Sequence, residues 1–156
     1  MLNTPSVTPP VIEPASAADI PALIELLDIL FSIEQDFRPD AEKQRRGLEL
    51  LLQNPETACV MAARAESGII GMASAQLVVS TACGAPSAWI EDVVLRPAHR
   101  GHGHGRALLD ALARWAAARG AARIQLLADA DNAPALDFYR HQAWQPTRLF
   151  AWRKFP

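Results

Sequence analysis

The stretch RGHGHGRALLDALARW, residues 100–115, decides how this chain is read. Three glycines alternate with two histidines, and Leu108, Leu109, Leu112 and Trp115 then recur at helical spacing. Residues 88–96 read as a strand that Pro97 stops, and Gly120 is placed to close the helix as its C′ residue. Residues 123–129, RIQLLAD, read as the next strand. Strand, glycine loop, helix and strand make one βαβ unit, for which a right-handed crossover is expected. Glycines where a crossover helix begins free several backbone N–H groups to point at one place, and the helix N-terminus adds partial positive charge. Together they form a cradle for an anion such as a pyrophosphate.

Two other readings of the loop fail. From Gly101 the sixth position is Arg106, and from Gly103 it is Leu108, so the G-x-G-x-x-G dinucleotide fingerprint is not met. No Gly-Lys-Ser/Thr is present for a Walker A loop. His99, His102 and His104 have a spacing that invites a metal, but no Asp or Cys stands in the loop to complete the ligand set. No metal is expected, and the backbone is the binding element.

Outward from the loop, residues 11–16 read as a short strand, and Ser16 with Asp19 forms a capping-box-like pair. Ile20, Leu23, Leu26, Leu27, Leu30 and Phe31 follow at helical spacing. Pro39 breaks the pattern, and Asp40 can cap a second helix running to about Gln53. From Thr57 the period shortens to that of two strands, joined by a turn at Glu66-Ser67-Gly68. A polar loop, residues 81–87, precedes the strand before the glycines. Residues 132–142 read as a last helix and residues 148–154, RLFAWRK, as a last strand. The order predicts an α/β fold with a central mixed β-sheet and helices on both faces. Residues 1–9 are expected to be a flexible tail and residues 10–156 a single domain.

The chain's 156 residues suffice for a substantial core. A net charge of −2 supplies no basic field for nucleic acid. No apolar run approaches bilayer length, so no membrane partner is expected, and the first ten residues lack a secretory signal pattern. Cys59 and Cys83 lie in strand-like apolar surroundings without a C-x-x-C pairing, which predicts buried thiols and a cytoplasmic setting.

Arg100-x-x-Gly103-x-Gly105 resembles the pyrophosphate loop of the Gcn5-related N-acetyltransferases, the GNAT family. WIEDVVLRP, residues 89–97, is similar to that family's fourth strand. NAPALDFYRHQAW, residues 132–144, is similar to its next motif. The order and spacing of elements match from about residue 10 to the C-terminus. Ala143 departs from the pattern, standing where the family usually has Gly before the aromatic Trp144. In a left-handed conformation Ala would cost about 1 kcal/mol there.

The resemblance implies acetyl-CoA as cosubstrate, held by Arg100, Gly101, His102, Gly103, His104, Gly105 and Arg106. It implies a bulge around Val93, Val94 and Leu95, whose backbone meets the thioester carbonyl while the strand edge pairs with the pantetheine amides. It implies Asn132 on the pantetheine arm and Tyr139 as general acid at the sulfur. From the residues alone, Asn132 also fits a plain helix cap and Tyr139 a core-edge aromatic.

Glu91 and Asp92 are adjacent, so on a regular strand they leave opposite faces. Carboxylates in so apolar a strand are costly unless paired or used. The resemblance favours Glu91 as general base or amine-binding group, acting through water, with Asp92 next; a hydrogen-bonded structural acid stays open for each. The acceptor site implied lies at the first helices and the loop of residues 31–40. Glu34 and Asp36 there either help hold a cationic amine or form a solvated acidic loop.

The expected activity is N-acetylation of a primary amine, with a small or polyamine-like acceptor favoured and a peptide or protein amine as the other choice. The alternative is a non-catalytic acyl-CoA-binding sensor or partner module. Dimers are common in such families, so a homodimer belongs to the same expectation.

Overall fold

Alternation along the apolar strands sets the architecture of the computed structural model, which describes residues 8–156. Residues 1–7 of the expected tail lie outside the described residues. Strands β1 (Val11–Pro14), β2 (Ala58–Ala65), β3 (Gly68–Ser80) and β4 (Ala85–Leu95) pair antiparallel in that order, and β5 (Arg123–Leu126) lies beside β4. In this register Val60, Ala62, Met72 and Val94 share one face. Helices α1 (Ile20–Ile33) and α2 (Ala41–Leu52) bury Leu23, Leu26, Leu27 and Leu48 against it. Cys59, Met61, Ala63, Ala73 and Ala75 alternate to the other face. Helix α3 (His104–Ala117) covers that side with Leu108, Leu109 and Leu112, all fully buried. The mixed sheet with helices on both faces is therefore as the sequence predicts.

Local chemistry fixes where the helices start. The carboxylate of Asp19 accepts from the Ser16 backbone N–H at 2.8 Å and from the Ser16 hydroxyl at 3.1 Å, and one 3₁₀ turn, Ala17–Asp19, leads into α1. Arg64 on β2 bridges Asp19 at 2.9 Å and Glu13 on β1 at 2.6 Å, which ties the helix entry to the sheet. Asp40 caps α2 by accepting from the Lys43 N–H at 3.1 Å. The hairpin turn falls at Glu66-Ser67, with Gly68 opening β3 at a φ of 109°.

Several expected boundaries shift. Strand β4 starts three residues earlier than the polar loop suggested, because Ser80, Val79 and Val78 pair with Ala85, Pro86 and Ser87. Cys83 consequently sits half-buried in the tight turn between β3 and β4 rather than on a buried strand, while Cys59 is buried as expected. β5 is only four residues long.

The expected last strand at residues 148–154 does not form. Leu149, Phe150 and Trp152 are 79%, 86% and 95% exposed, and no ladder includes them. On a strand Leu149, Ala151 and Arg153 would share one face and Phe150, Trp152 and Lys154 the other, a pattern with no single apolar face to select a pairing register.

The chain gathers into two compact units, one ending at Gln125 and the other running from Leu126 to Pro156. The second contains α4 (Ala133–His141), capped by Asn132, whose side-chain oxygen accepts from the Ala135 N–H at 3.2 Å.

Helices α3 and α4 end in the same motif. After α3, Gly120 at φ 79° donates to the Ala117 carbonyl and Ala121 donates to that of Ala116. After α4, Ala143 at φ 62° donates to the Arg140 carbonyl and Trp144 to that of Tyr139. Both are Schellman closures with a left-handed C′ residue. One uses the glycine the geometry favours; the other strains an alanine. Ala143→Gly is therefore expected to stabilise the protein by about 1 kcal/mol, and Gly120→Ala to destabilise it by about the same amount. Urea denaturation midpoints of the two variants against the parent chain check both signs.

Candidate active site

Strand β4 carries the predicted carboxylates and bulge, and its pairing is interrupted where the carboxylates stand. Ser74 pairs with Glu91 and Met72 with Val94, so Asp92 and Val93 together oppose the single residue Ala73. That is a β-bulge, and it begins one residue before the predicted stretch of Val93, Val94 and Leu95. Asp92 takes the strain, with a φ of 56°. On the far side of the bulge Val94 is buried on the core face. Gly71 faces Leu95 there, where a Cβ would strike the Leu95 side chain and come within 3.0 Å of the Val94 carbonyl.

β5 begins beside Pro86, where the Ala122 N–H donates to the Pro86 carbonyl at 2.9 Å. A four-residue strand that starts there runs out before the Leu95 end of the eleven-residue β4. A strand edge left open in this way accepts an extended, amide-bearing ligand as an added strand.

The two carboxylates diverge, but the bulge separates them rather than plain alternation. Glu91 is exposed. Asp92 turns inward, its Oδ2 accepting from the Ser74 hydroxyl at 3.1 Å, and Ser74 itself is only 1% exposed. Burial pushes the Asp92 carboxyl up to about 6, the negative charge of Glu91 adds to the rise, and the Ser74 hydrogen bond opposes it. Ser74 escaped the sequence reading. Its only signal was a hydroxyl within the otherwise apolar run GMASA.

The glycine loop follows β4 directly. A 3₁₀ turn, Pro97–His99, leads to Gly101 and Gly103, both left-handed at φ 79° and 83°. A Cβ built on either would meet nothing within 4 Å, so the backbone conformation rather than crowding demands glycine. Ala107 is the first residue of α3 to bond back, donating to the Gly103 carbonyl at 3.1 Å. The N–H groups of His104, Gly105 and Arg106 are the unclaimed donors of the first turn. Open space over two glycines and free N–H groups at a helix N-terminus suit a pyrophosphate.

Side chains around the loop turn to other tasks. Arg100 donates through Nε to the Leu95 carbonyl at 3.1 Å, and Arg96 pairs with Glu25 on α1 at 2.7 Å. The rings of His102 and His104 stack 6.0 Å apart. Burial lowers the His104 pKa, and the neighbouring His102 and His99 lower it further. No cluster of three or more His, Cys, Asp or Glu with metal-binding geometry occurs among the described residues.

The remaining predicted residues belong to the second unit. Asn132 uses its side-chain oxygen to cap α4. Tyr139 is half-buried, its ring 5.2 Å from Phe138 edge-on and 5.8 Å from Trp144. In the α1–α2 connection, Phe31 and Phe37 pair at 5.6 Å beside Glu34 and Asp36.

Comparison with known proteins agrees with this geometry. The model of the Acetyltransferase (GNAT) family matches residues 22–144, and the chain belongs to that family. Streptothricin acetyltransferase from Streptomyces lavendulae is 41% identical over 63 residues, 37% of this chain and 33% of that protein. The chain thus spans about a third of the length of this curated relative. Among solved structures, an aminoglycoside acetyltransferase from an uncultured soil metagenomic sample, in complex with sisomicin, matches with a TM-score of 0.73 and 24% identity. That match covers 94% of this chain and 96% of the other. An aminoglycoside N-acetyltransferase in complex with CoA matches with a TM-score of 0.82 at 18% identity, covering 97% and 99%. At these identities the likeness is one of fold.

The raised Asp92 carboxyl has a stability consequence. Between 3.8, its ordinary value, and about 6, the folded protein holds this proton more tightly than the unfolded chain. Its contribution is therefore most favourable at low pH and declines as pH rises through that window. Asp92→Asn is expected to be more stable than the parent at pH 7.5, by roughly 1–3 kcal/mol, with the gap closing toward pH 4. Denaturation curves at a series of pH values measure this directly.

Proposed function

We propose that this protein transfers the acetyl group of acetyl-CoA to a primary amine on a small, cationic acceptor. The observation that carries the reading is the continuous path from the bulged, open-edged half of β4 into left-handed Gly101 and Gly103 and the free N–H groups of α3. The loop holds the pyrophosphate, and the open edge of β4 holds the amides of the arm. When bound, acetyl-CoA supplies an activated acyl thioester.

The residues of the chain then have distinct tasks. A backbone N–H at the bulge donates to the acyl oxygen as negative charge develops there. The acidic pair Glu91 and Asp92 receives the proton that the acceptor ammonium must lose before its nitrogen can attack. Tyr139 gives its phenolic proton to the departing sulfur, and Asn132 orients the arm. Glu34 and Asp36 favour a positively charged acceptor. Relatives named for streptothricin and aminoglycosides support a small acceptor with several amines.

Thiol release from acetyl-CoA, followed over a panel of polyamines, an aminoglycoside, streptothricin and a peptide α-amine, tests the reading. Turnover with a small amine is the expected result. Coenzyme binding without turnover on any amine would instead make the chain a non-catalytic acyl-CoA module.

Acetyl-CoA at a hundredfold excess over its Kd should stabilise the fold by about 2.7 kcal/mol. Gly103→Val should abolish that shift at a folding cost of about 1–2 kcal/mol, because the left-handed loop no longer forms. Tyr139→Phe keeps the ring packing and removes the proton donor. Its kcat should fall by ~10²-fold or more with the Kd for acetyl-CoA hardly changed, as steady-state kinetics and calorimetry would measure.

A further inference from the structure

The bulge raises the question of which carboxylate on β4 carries the proton and what holds it. We infer that Ser74 is a positioning residue whose hydroxyl fixes the Asp92 carboxylate in the bulge, making Asp92 rather than Glu91 the group that takes the ammonium proton. The inference rests on the acetyl-transfer reading above and adds to it a residue outside the family motifs.

Three independent features converge on this pair. Asp92 adopts a left-handed backbone conformation, which among side-chain-bearing residues Asn and Asp tolerate best, and this conformation turns its carboxylate toward β3. Ser74 is fully buried, and its one hydroxyl proton lies within reach of both Asp92 Oδ2 at 3.1 Å and the Glu91 carbonyl at 3.2 Å. A serine pinned between the two arms of a bulge holds both the backbone kink and the side chain that the kink displays. Glu91, exposed on the same strand, has no comparable restraint.

The charged surroundings leave the pair in control of the proton. Within β4 the neighbouring charge is Glu91, which opposes ionisation of Asp92. β3 contributes no charged residue. On α1, Glu25 is paired with Arg96, and Asp28 accepts from Gln44 at 2.9 Å. On α3, Arg106 lies 3.7 Å from Asp110. On β5, Arg123 bonds to Ser87 and Ser80. Burial and the Glu91 charge both raise the Asp92 carboxyl, the Ser74 hydrogen bond acts the other way, and the carboxyl stands at about 6. In the step itself, the proton leaves the acceptor nitrogen, directly or along one water, and bonds to an Asp92 carboxylate oxygen. The electron pair of the broken N–H bond stays on nitrogen as the attacking lone pair.

Carboxyl NMR of the full chain carrying ¹³C-aspartate tests the inference without needing turnover, with Asp92→Asn identifying the resonance. The parent chain should show an Asp92 midpoint well above the ordinary carboxylate value. Ser74→Ala should raise that midpoint by roughly one pH unit, and Ser74→Thr, which keeps the hydroxyl, should restore it. On an amine that turns over, the acidic limb of the kcat/KM profile should move in step, while the Kd for acetyl-CoA stays within about twofold. An ordinary Asp92 midpoint in the parent, or an unmoved midpoint in Ser74→Ala, would overturn the inference. So would loss of the acidic limb in Glu91→Gln but not in Asp92→Asn. Should Ser74→Ala not fold, Ser74→Cys, which keeps the volume and weakens the donor, is titrated in its place with the same expected rise. Failure of the acetyl-transfer reading shows separately, as no thiol release on the amine panel, and it removes the catalytic role whatever the titration shows.

Discussion

One irregular pairing, Asp92 and Val93 opposite the single Ala73, governs the rest of this structure. A regular β3–β4 ladder would bury or expose each β4 residue in strict alternation and continue straight into Pro97. The extra residue bends the strand, turns one carboxylate inward and leaves the other in solvent. The glycine loop follows within a few residues, so the direction of the strand at the bulge sets where the N-terminus of α3 points.

Such a bulge survives only inside a structure that holds it from both sides. Val94, immediately beyond it, is anchored opposite Met72 in the core beneath α1 and α2. Gly71 lets β3 approach the Leu95 side chain and the Val94 carbonyl so closely that a Cβ there would force Leu95 to move. Ser74 fastens the other arm. The strain of a left-handed aspartate and the cost of a half-buried carboxylate are thus set against a well-packed sheet, a trade that sites often make against stability.

The sequence revealed the architecture wherever a period or a cap was present. Leu108, Leu109 and Leu112 marked α3, Asp40 marked the start of α2, and the hairpin followed from Glu66-Ser67-Gly68. It misled where pairing rather than pattern decides. Residues 85–87 look like loop but join β4 because β3 extends far enough to meet them. Residues 148–154 look like strand, but their large side chains fall on both faces and no neighbour pairs with them. At the site, the loop was legible because left-handed glycines before a helix leave a clear signature. Ser74 was not, because its meaning comes from Asp92, eighteen positions away on another strand and turned toward it by a bulge that composition does not encode. The same holds for Asp92: the sequence said that it and Glu91 diverge, and only its neighbours in space show which of the two turns inward.

Cys59 illustrates what deep burial would mean for the proposed acetyl transfer. Buried on the sheet face covered by α3, its thiol is pushed up to about 11 by removal from water, only partly relieved by the charge of Arg119. At neutral pH the thiol therefore dominates, and the thiolate is the form that exchanges acyl groups with a thioester. In the proposed acetyl transfer the protein's own sulfur would thereby be kept from competing with the amine for the acyl group. Desolvation alone would suppress self-acylation at this position, without any residue devoted to preventing it.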